Sequence, residues 1–251
     1  MKVDKLKNII FSLLALLAIW LVWLIAYFAL KNDYVLPSFG ETVKEAWELL
    51  GEGAFWRAFG NTLLRTVWAF LISFVLGAGL AALSVLFSWV RAFLAPLISI
   101  LRTVPTMAII LILLLWTSPA GAPIVVAALV LMPAFYSASL AALTETEREY
   151  GEFARAFRVS KTRQLFKMYL PVSAPPVLKQ AGAIFSMGLK VTVSGEVLSS
   201  TFRSLGGMMH EAQIYLATSR LLALTLLTVL LGFALEGLCA LVYRLVVRWR
   251  R

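Results

Sequence analysis

Apolar runs long enough to cross a bilayer alternate with short polar segments along this chain. Ile9–Leu30 holds 22 uncharged residues and Thr66–Val90 holds 25. A helix of either length covers a hydrocarbon core of about 30 Å. Thr103–Thr144 runs for 42 residues without a charge. As one helix it would be about 63 Å long, two bilayer cores, so it must turn back. Thr117-Ser118-Pro119-Ala120-Gly121-Ala122-Pro123 supplies the breaker. Further apolar stretches begin at Ala181 and after Arg220. The pattern predicts an all-α polytopic membrane protein, one domain over 1–251, with six spans at about 9–30, 66–90, 93–116, 123–143, 181–202 and 221–243. The first apolar run is too long for the core of a cleavable leader and is expected to be a retained span.

The segments between the spans have patterns of their own. Leu36-Pro37-Ser38 opens a helix whose apolar stripe is Val43, Ala46, Trp47 and Leu50, suited to an interface. Gly77, Ala78, Gly79, Ala81 and Ala82 offer a small-residue surface for close helix packing. Pro105 and Pro133 are expected to kink their helices. Arg203–Arg220 reads as a short external loop with Gly206-Gly207 and the single histidine, His210, expected at the surface.

One polar island, Glu145 to Lys179, interrupts the second half of the chain. Tyr150, Phe153, Ala156 and Phe157 recur at helical spacing, with Arg148, Glu152 and Arg155 on the other side. After a break at Arg158-Val159-Ser160, with Ser160 as N-cap, a second stripe follows: Thr162, Leu165, Phe166 and Tyr169, ended by Pro171. Two short amphipathic helices at an angle make a docking surface.

Composition agrees with the pattern and adds a topology. Of 251 residues, 61% are hydrophobic and 14% charged, and mean hydropathy is +0.88. The net charge of +10 does not indicate nucleic acid, because the charges sit at span ends. With both termini inside, fifteen of the 23 Lys and Arg are cytoplasmic and six are outside, leaving Arg102 and Lys190 in the membrane. Arg244, Arg248, Arg250 and Arg251 form a basic C-terminal cluster. The lone Cys239, in an apolar helix, excludes a disulfide framework.

Enzyme signatures are missing. No Gly-x-x-x-x-Gly-Lys-Ser/Thr, His-Glu-x-x-His or Gly-x-Ser-x-Gly occurs, so no catalytic residue, metal site or cofactor is expected on this chain. Arg102, Lys190 and Glu196 are intramembrane ionisable groups, and each needs a partner or water. They are candidates for a solute pathway or gate, or for interhelical ion pairing, with Arg102 a candidate partner for Glu196. Arg65 is expected to anchor a helix end at the interface.

The run Glu152-Phe153-Ala154, then Ser160, Leu165-Phe166 and Leu170-Pro171, resembles the Glu-Ala-Ala loop of permease subunits of type I ABC importers. Phe153 stands at a usual Ala, and Arg158 at the Gly that eases a left-handed helix end. Leu36-Pro37-Ser38 and Asn61-Thr62-Leu63-Leu64-Arg65 resemble the nitrate, sulfonate, taurine and thiamine-precursor subgroup. The resemblance implies a multi-pass subunit of a bacterial inner membrane that carries a small polar or anionic organic solute or nitrate by alternating access. It implies a second permease copy or paralogue, two ABC ATPase subunits holding ATP and Mg, and an extracytoplasmic binding protein. Glu152, Phe153, Ala154, Phe157, Arg158, Ser160, Leu165 and Phe166 would then contact the ATPases. The alternative is a secondary transporter driven by an ion gradient, which predicts inverted repeats and broken helices.

Overall fold

The structure is a computed structural model that describes residues 2–247. Arg248, Arg250 and Arg251 of the expected basic cluster lie outside the described residues, as do the side chains of Lys2, Lys5 and Arg155. All regular elements among the described residues are helical: α1 (Lys2–Leu30), α2 (Phe39–Gly51), α3 (Gly53–Leu86), α4 (Ser88–Thr103), α5 (Thr106–Leu114), α6 (Ala122–Ala156), α7 (Lys161–Gln164), a π-turn (Leu165–Tyr169), α8 (Leu170–Leu198), α9 (Leu205–Ile214) and α10 (Thr218–Val246). With no water in the bilayer core, helices satisfy every backbone group internally. Among the described residues five helical stretches are long and apolar enough to span, and α4 with α5 makes a sixth when counted as one bent span.

The kink expected at Pro105 is a full break in the third span: α4 and α5 meet at 91°. Val104 precedes a proline and adopts extended ψ (129°), and Pro105 caps α5 instead of extending α4. Pro133 makes no such break and sits inside the continuous α6.

α3, α6 and α8 form the core. α3 begins at Gly53, not Thr66, and turns Phe55, Ala58, Thr62, Thr66, Ala69, Ser73, Gly77, Ala81 and Ser84 inward. Most are small, so backbones approach closely, the usual solution where lipid supplies no hydrophobic drive. At Gly77 a Cβ would stand 2.7 Å from Phe135 Cβ and 2.8 Å from the Met132 carbonyl, so only glycine fits. Ser73 Oγ lies 2.9 Å from the Ala128 carbonyl and Ser84 Oγ 3.1 Å from Tyr136 Oη across the same crossing. Phe70 packs edge-to-face on Phe135 and Phe185, at 5.0 and 5.4 Å between ring centroids.

α1 stands apart. No described side chain of its Leu13–Leu30 stretch is fully buried within this chain. It is tied on by Trp23, whose Nε1–H donates to the Pro37 carbonyl (3.2 Å) and whose ring meets Phe39 edge-on. α2 has a complete capping box between Ser38 and Glu41. Its inward face is Thr42, Ala46 and Leu49. The expected stripe was therefore rotated, since Val43 and Trp47 are exposed. Arg220 at the head of α10 grips Glu45 and Glu52 at 3.0 and 2.8 Å.

Gly77→Ala should lower thermal stability by about 1–3 kcal/mol through overpacking at the α3–α6 crossing. Gly79→Ala, with nothing within 4 Å of its Cβ position, should be neutral or stabilising. Thermal unfolding of the two variants in detergent separates close packing from helix propensity.

Candidate functional site

The polar island is a helical hairpin, not a pair of separate short helices. α6 continues to Ala156, and at 35 residues it is about 52 Å long, well beyond a hydrocarbon core. The return arm runs helically from Lys161 to Leu198, so Pro171 does not end it. The π-turn at Leu165–Tyr169 widens the helix just before Pro171, and the Leu170 amide reaches the Leu165 carbonyl. That local unwinding makes room for the pyrrolidine ring.

The turn between the arms is short and specific. Arg158 has φ +53°, the left-handed conformation usual for glycine at this place. The Val159 amide donates to the Ala154 carbonyl at 3.1 Å, a Schellman-type closure that satisfies the helix end. Gln164 Nε2 donates to the Val159 carbonyl (2.6 Å), and Tyr169 Oη donates to Gln164 Oε1 (2.9 Å).

Burial divides the eight expected contact residues. Ala154 and Leu165 are inside, each 2% exposed, with Leu165 and Tyr169 packed among Ala81, Leu94, Ile98, Tyr136 and Leu143. Glu152, Phe153, Phe157, Arg158, Ser160 and Phe166 are exposed. Phe153 and Phe157 are 63% and 67% exposed, and their rings lie 4.7 Å apart. Three exposed phenylalanines on a well-anchored projection, rimmed by charge, form a surface another protein can grip.

At the opposite end, Glu196 pairs with Arg65 and not with Arg102. Its side chain has no exposed surface, and Arg65 Nη1 lies 2.9 Å from Oε1. Thr62 Oγ1 donates at 2.8 Å and the Gly206 amide at 3.2 Å to Oε2, while Thr62 Oγ1 accepts the Leu205 amide at 3.0 Å. Arg65 is thus a half-buried partner within α3, not at a helix end. The sequence signal was Thr62 and Arg65 one turn apart on the buried face of a helix that starts earlier than its uncharged run. Glu196 lines no open surface. Arg203–Arg220, expected as a loop, is largely the helix α9, and His210 lines an open cleft of about 630 Å³ with Arg57, Arg203 and Glu211.

Arg102 and Lys190 are exposed and are not brought together. An Arg102 guanidinium nitrogen donates to Ser137 Oγ and, at 3.4 Å, to the Pro133 carbonyl. Lys190 has no carboxylate partner among the described residues. It opens on a cleft of about 380 Å³ with Pro105, Thr106, Met107, Ile110 and Ser194, at the break between α4 and α5.

The family of binding-protein-dependent transport system inner membrane components matches residues 73–248. The chain belongs to that family. This permease is 26% identical over 228 residues to the taurine transport system permease protein TauC of Escherichia coli (strain K12), covering 88% of this chain and 82% of that protein. Its fold is similar to an inward-facing MetNI methionine ABC transporter chain (TM-score 0.67, 18% identity, 76% of this chain and 95% of that one). It is also similar to an amino acid ABC transporter chain crystallised with histidines (TM-score 0.64, 17% identity, 84% and 98%). It is a multi-pass membrane subunit of the type I ABC importer kind. Family membership describes a transport subunit, and importers of this family work in general with ATPase subunits and a binding protein.

Four variants test the geometry of the permease by thermal unfolding in detergent. Arg65→Met should cost about 3–5 kcal/mol, because it strands a buried carboxylate. Adding Glu196→Gln should recover most of that loss, which a purely steric role of Arg65 would not allow. Arg158→Gly should stabilise by about 1 kcal/mol and Arg158→Val should destabilise, because only the glycine relieves a left-handed residue.

Proposed function

We propose that this permease is the membrane-spanning half of an ATP-driven importer, paired with a second copy or a related chain. The 145–179 hairpin lies on the cytoplasmic side, as the charge bias favours, and the α9 end faces outward toward a binding protein. Two ATPase subunits, which carry ATP and Mg, grip the hairpin and move the helices it caps as rigid bodies. The solute is small and polar or anionic, and the likeness to a taurine permease supports a sulfonate. The passage runs between the paired subunits along the open side of α8, where Lys190 is exposed.

One observation carries the coupling role. The hairpin leaves Phe153, Phe157 and Phe166 uncovered by the rest of the chain, which on an aqueous face costs solubility unless a partner covers them. Glu152, Arg158 and Ser160 surround them with groups that orient a partner, while buried Ala154 and Leu165 hold the arms to the bundle. The bend at Pro105 is also the kind of break used by gradient-driven carriers. Among the described residues it is a single bent pair, without the inverted counterpart such a carrier needs.

The test is ATPase recovery with tagged permease from detergent-solubilised membranes of cells that express the whole system. Phe157→Arg or Glu152→Arg should reduce recovered ATPase at least tenfold at unchanged permease level, as the loss of a central anchor does. Unchanged recovery, with unchanged solute-stimulated hydrolysis, excludes the hairpin as the docking element.

A further inference from the structure

α8 is enclosed on three sides and open on the fourth. Gly188 and Gly195 meet Leu131 and Pro123 of α6, Phe185 meets Phe70 of α3, and Gly182 faces Cys239 of α10. The exposed positions Pro176, Lys179, Ala183, Met187, Lys190 and Ser194 repeat at three- and four-residue steps, so they lie along one face of the helix. Two clefts border this face. One, against α5, holds Lys190, Ser194 and Thr106. The other, of about 310 Å³ against α10, holds Lys179, Arg244 and Glu236.

A lysine in a span is costly against lipid, so it snorkels, pairs or lines water. Lys190 has no acidic partner among the described residues and lies about 12 Å along the helix from the outer end of α8, farther than a lysine side chain reaches. Snorkelling therefore does not account for Lys190, and the exposed Ser194 one turn away adds a second polar group to the same face. The face is therefore wet. Its charge is also one-sided: Lys179, Lys190 and Arg244 oppose a single carboxylate, Glu236, which already accepts a hydrogen bond from Ser186 at 3.1 Å.

We infer that the cleft at the break of the third span is an anion subsite, in which Lys190 holds the oxyanion group of a small solute while Ser194 and Thr106 supply hydroxyl donors. This rests on the reading that the open face of α8 lines the passage. Fixed cations lining a pore select anions through the field they impose at close quarters. Lys190 would be a specificity-determining residue, because a neutral or cationic solute gains nothing from an ammonium it must desolvate. Lys179 and Arg244 then form a second cationic step toward the hairpin end, so the anion moves between favourable positions and not out of a single deep well.

The experiment uses the full chain in membranes of cells that express it with its partner subunits. The background variant is Cys239→Ala, which removes the only thiol. Ser194→Cys is added with Lys190 kept, or with Lys190→Met or Lys190→Arg. Two water-borne thiol reagents of similar size are compared, the anionic 2-sulfonatoethyl and the cationic 2-(trimethylammonio)ethyl methanethiosulfonates. With Lys190 or Lys190→Arg the anionic reagent should react faster relative to the cationic one. Lys190→Met should lower that ratio about tenfold, the size expected for one charge a helical turn away in a wet cleft. An unchanged ratio overturns the anion subsite and leaves the passage in place. A Ser194→Cys thiol that neither reagent reaches overturns the passage itself. Labelling does not require ATPase docking, so failure of the coupling reading leaves this readout intact.

Discussion

A carboxylate with no exposed surface, inside a membrane-spanning helix, fixes one end of this molecule. Glu196 is tolerable there only because Arg65, Thr62 and the Gly206 amide all point at it. Those donors come from α3 and α9, so three elements are held in one register by one charged group. Thr62 extends the chain of bonds by accepting the Leu205 amide, and Gly206 lets α9 come close: a Cβ there would lie 2.6 Å from the Val193 carbonyl. The loop between α8 and α9 is equally constrained, with Thr201 donating to the Pro119 carbonyl at 2.7 Å and Asn61 to the Arg203 carbonyl at 2.9 Å. Its Ser200 and Arg203 hold positive φ, a strain that persists because so many bonds define it.

The other end is built differently. α6 and the arm leading into α8 extend beyond a bilayer thickness and project as a hairpin, anchored by Leu165, Tyr169 and Ala154 and open at its phenylalanines. A bundle stapled at one end and carrying levers at the other suits a subunit that is moved from outside, because a force on the hairpin is transmitted along continuous helices. The π-turn and the prolines at 171, 175 and 176 lie where lever joins span. Helical hydrogen bonding is weakest there, so the arm has its compliance at that junction.

α8 joins these two ends and does so with a division of faces. Glycines at 188 and 195 permit contact with α6, and the aromatic cluster around Phe70 fills the side toward α3. What remains is an open stripe with lysines, bordered by the broken span. Close packing on three sides makes the fourth side rigid enough to present charges at fixed positions.

By itself the sequence determined the composition-level facts: an all-helical membrane chain, six apolar stretches, and the place of the polar island. Those follow from local hydropathy and from the rule that backbone in lipid must bond to itself, and neither needs a partner distant in sequence. The helical character of the polar island was legible for the same reason, because helical spacing is local, whereas which of its side chains turn inward was not. Tertiary structure alone decided which charges meet. Arg65 and Glu196 are 131 positions apart, and helical periodicity gives each a face but not a neighbour, so Arg102 was as good a candidate until the helices were packed. It also decided that Pro105 bends its span by 91° while Pro133 and Pro171 do not interrupt theirs. A proline breaks a helix only where nothing around it absorbs the missing bond, and that is a property of the surroundings.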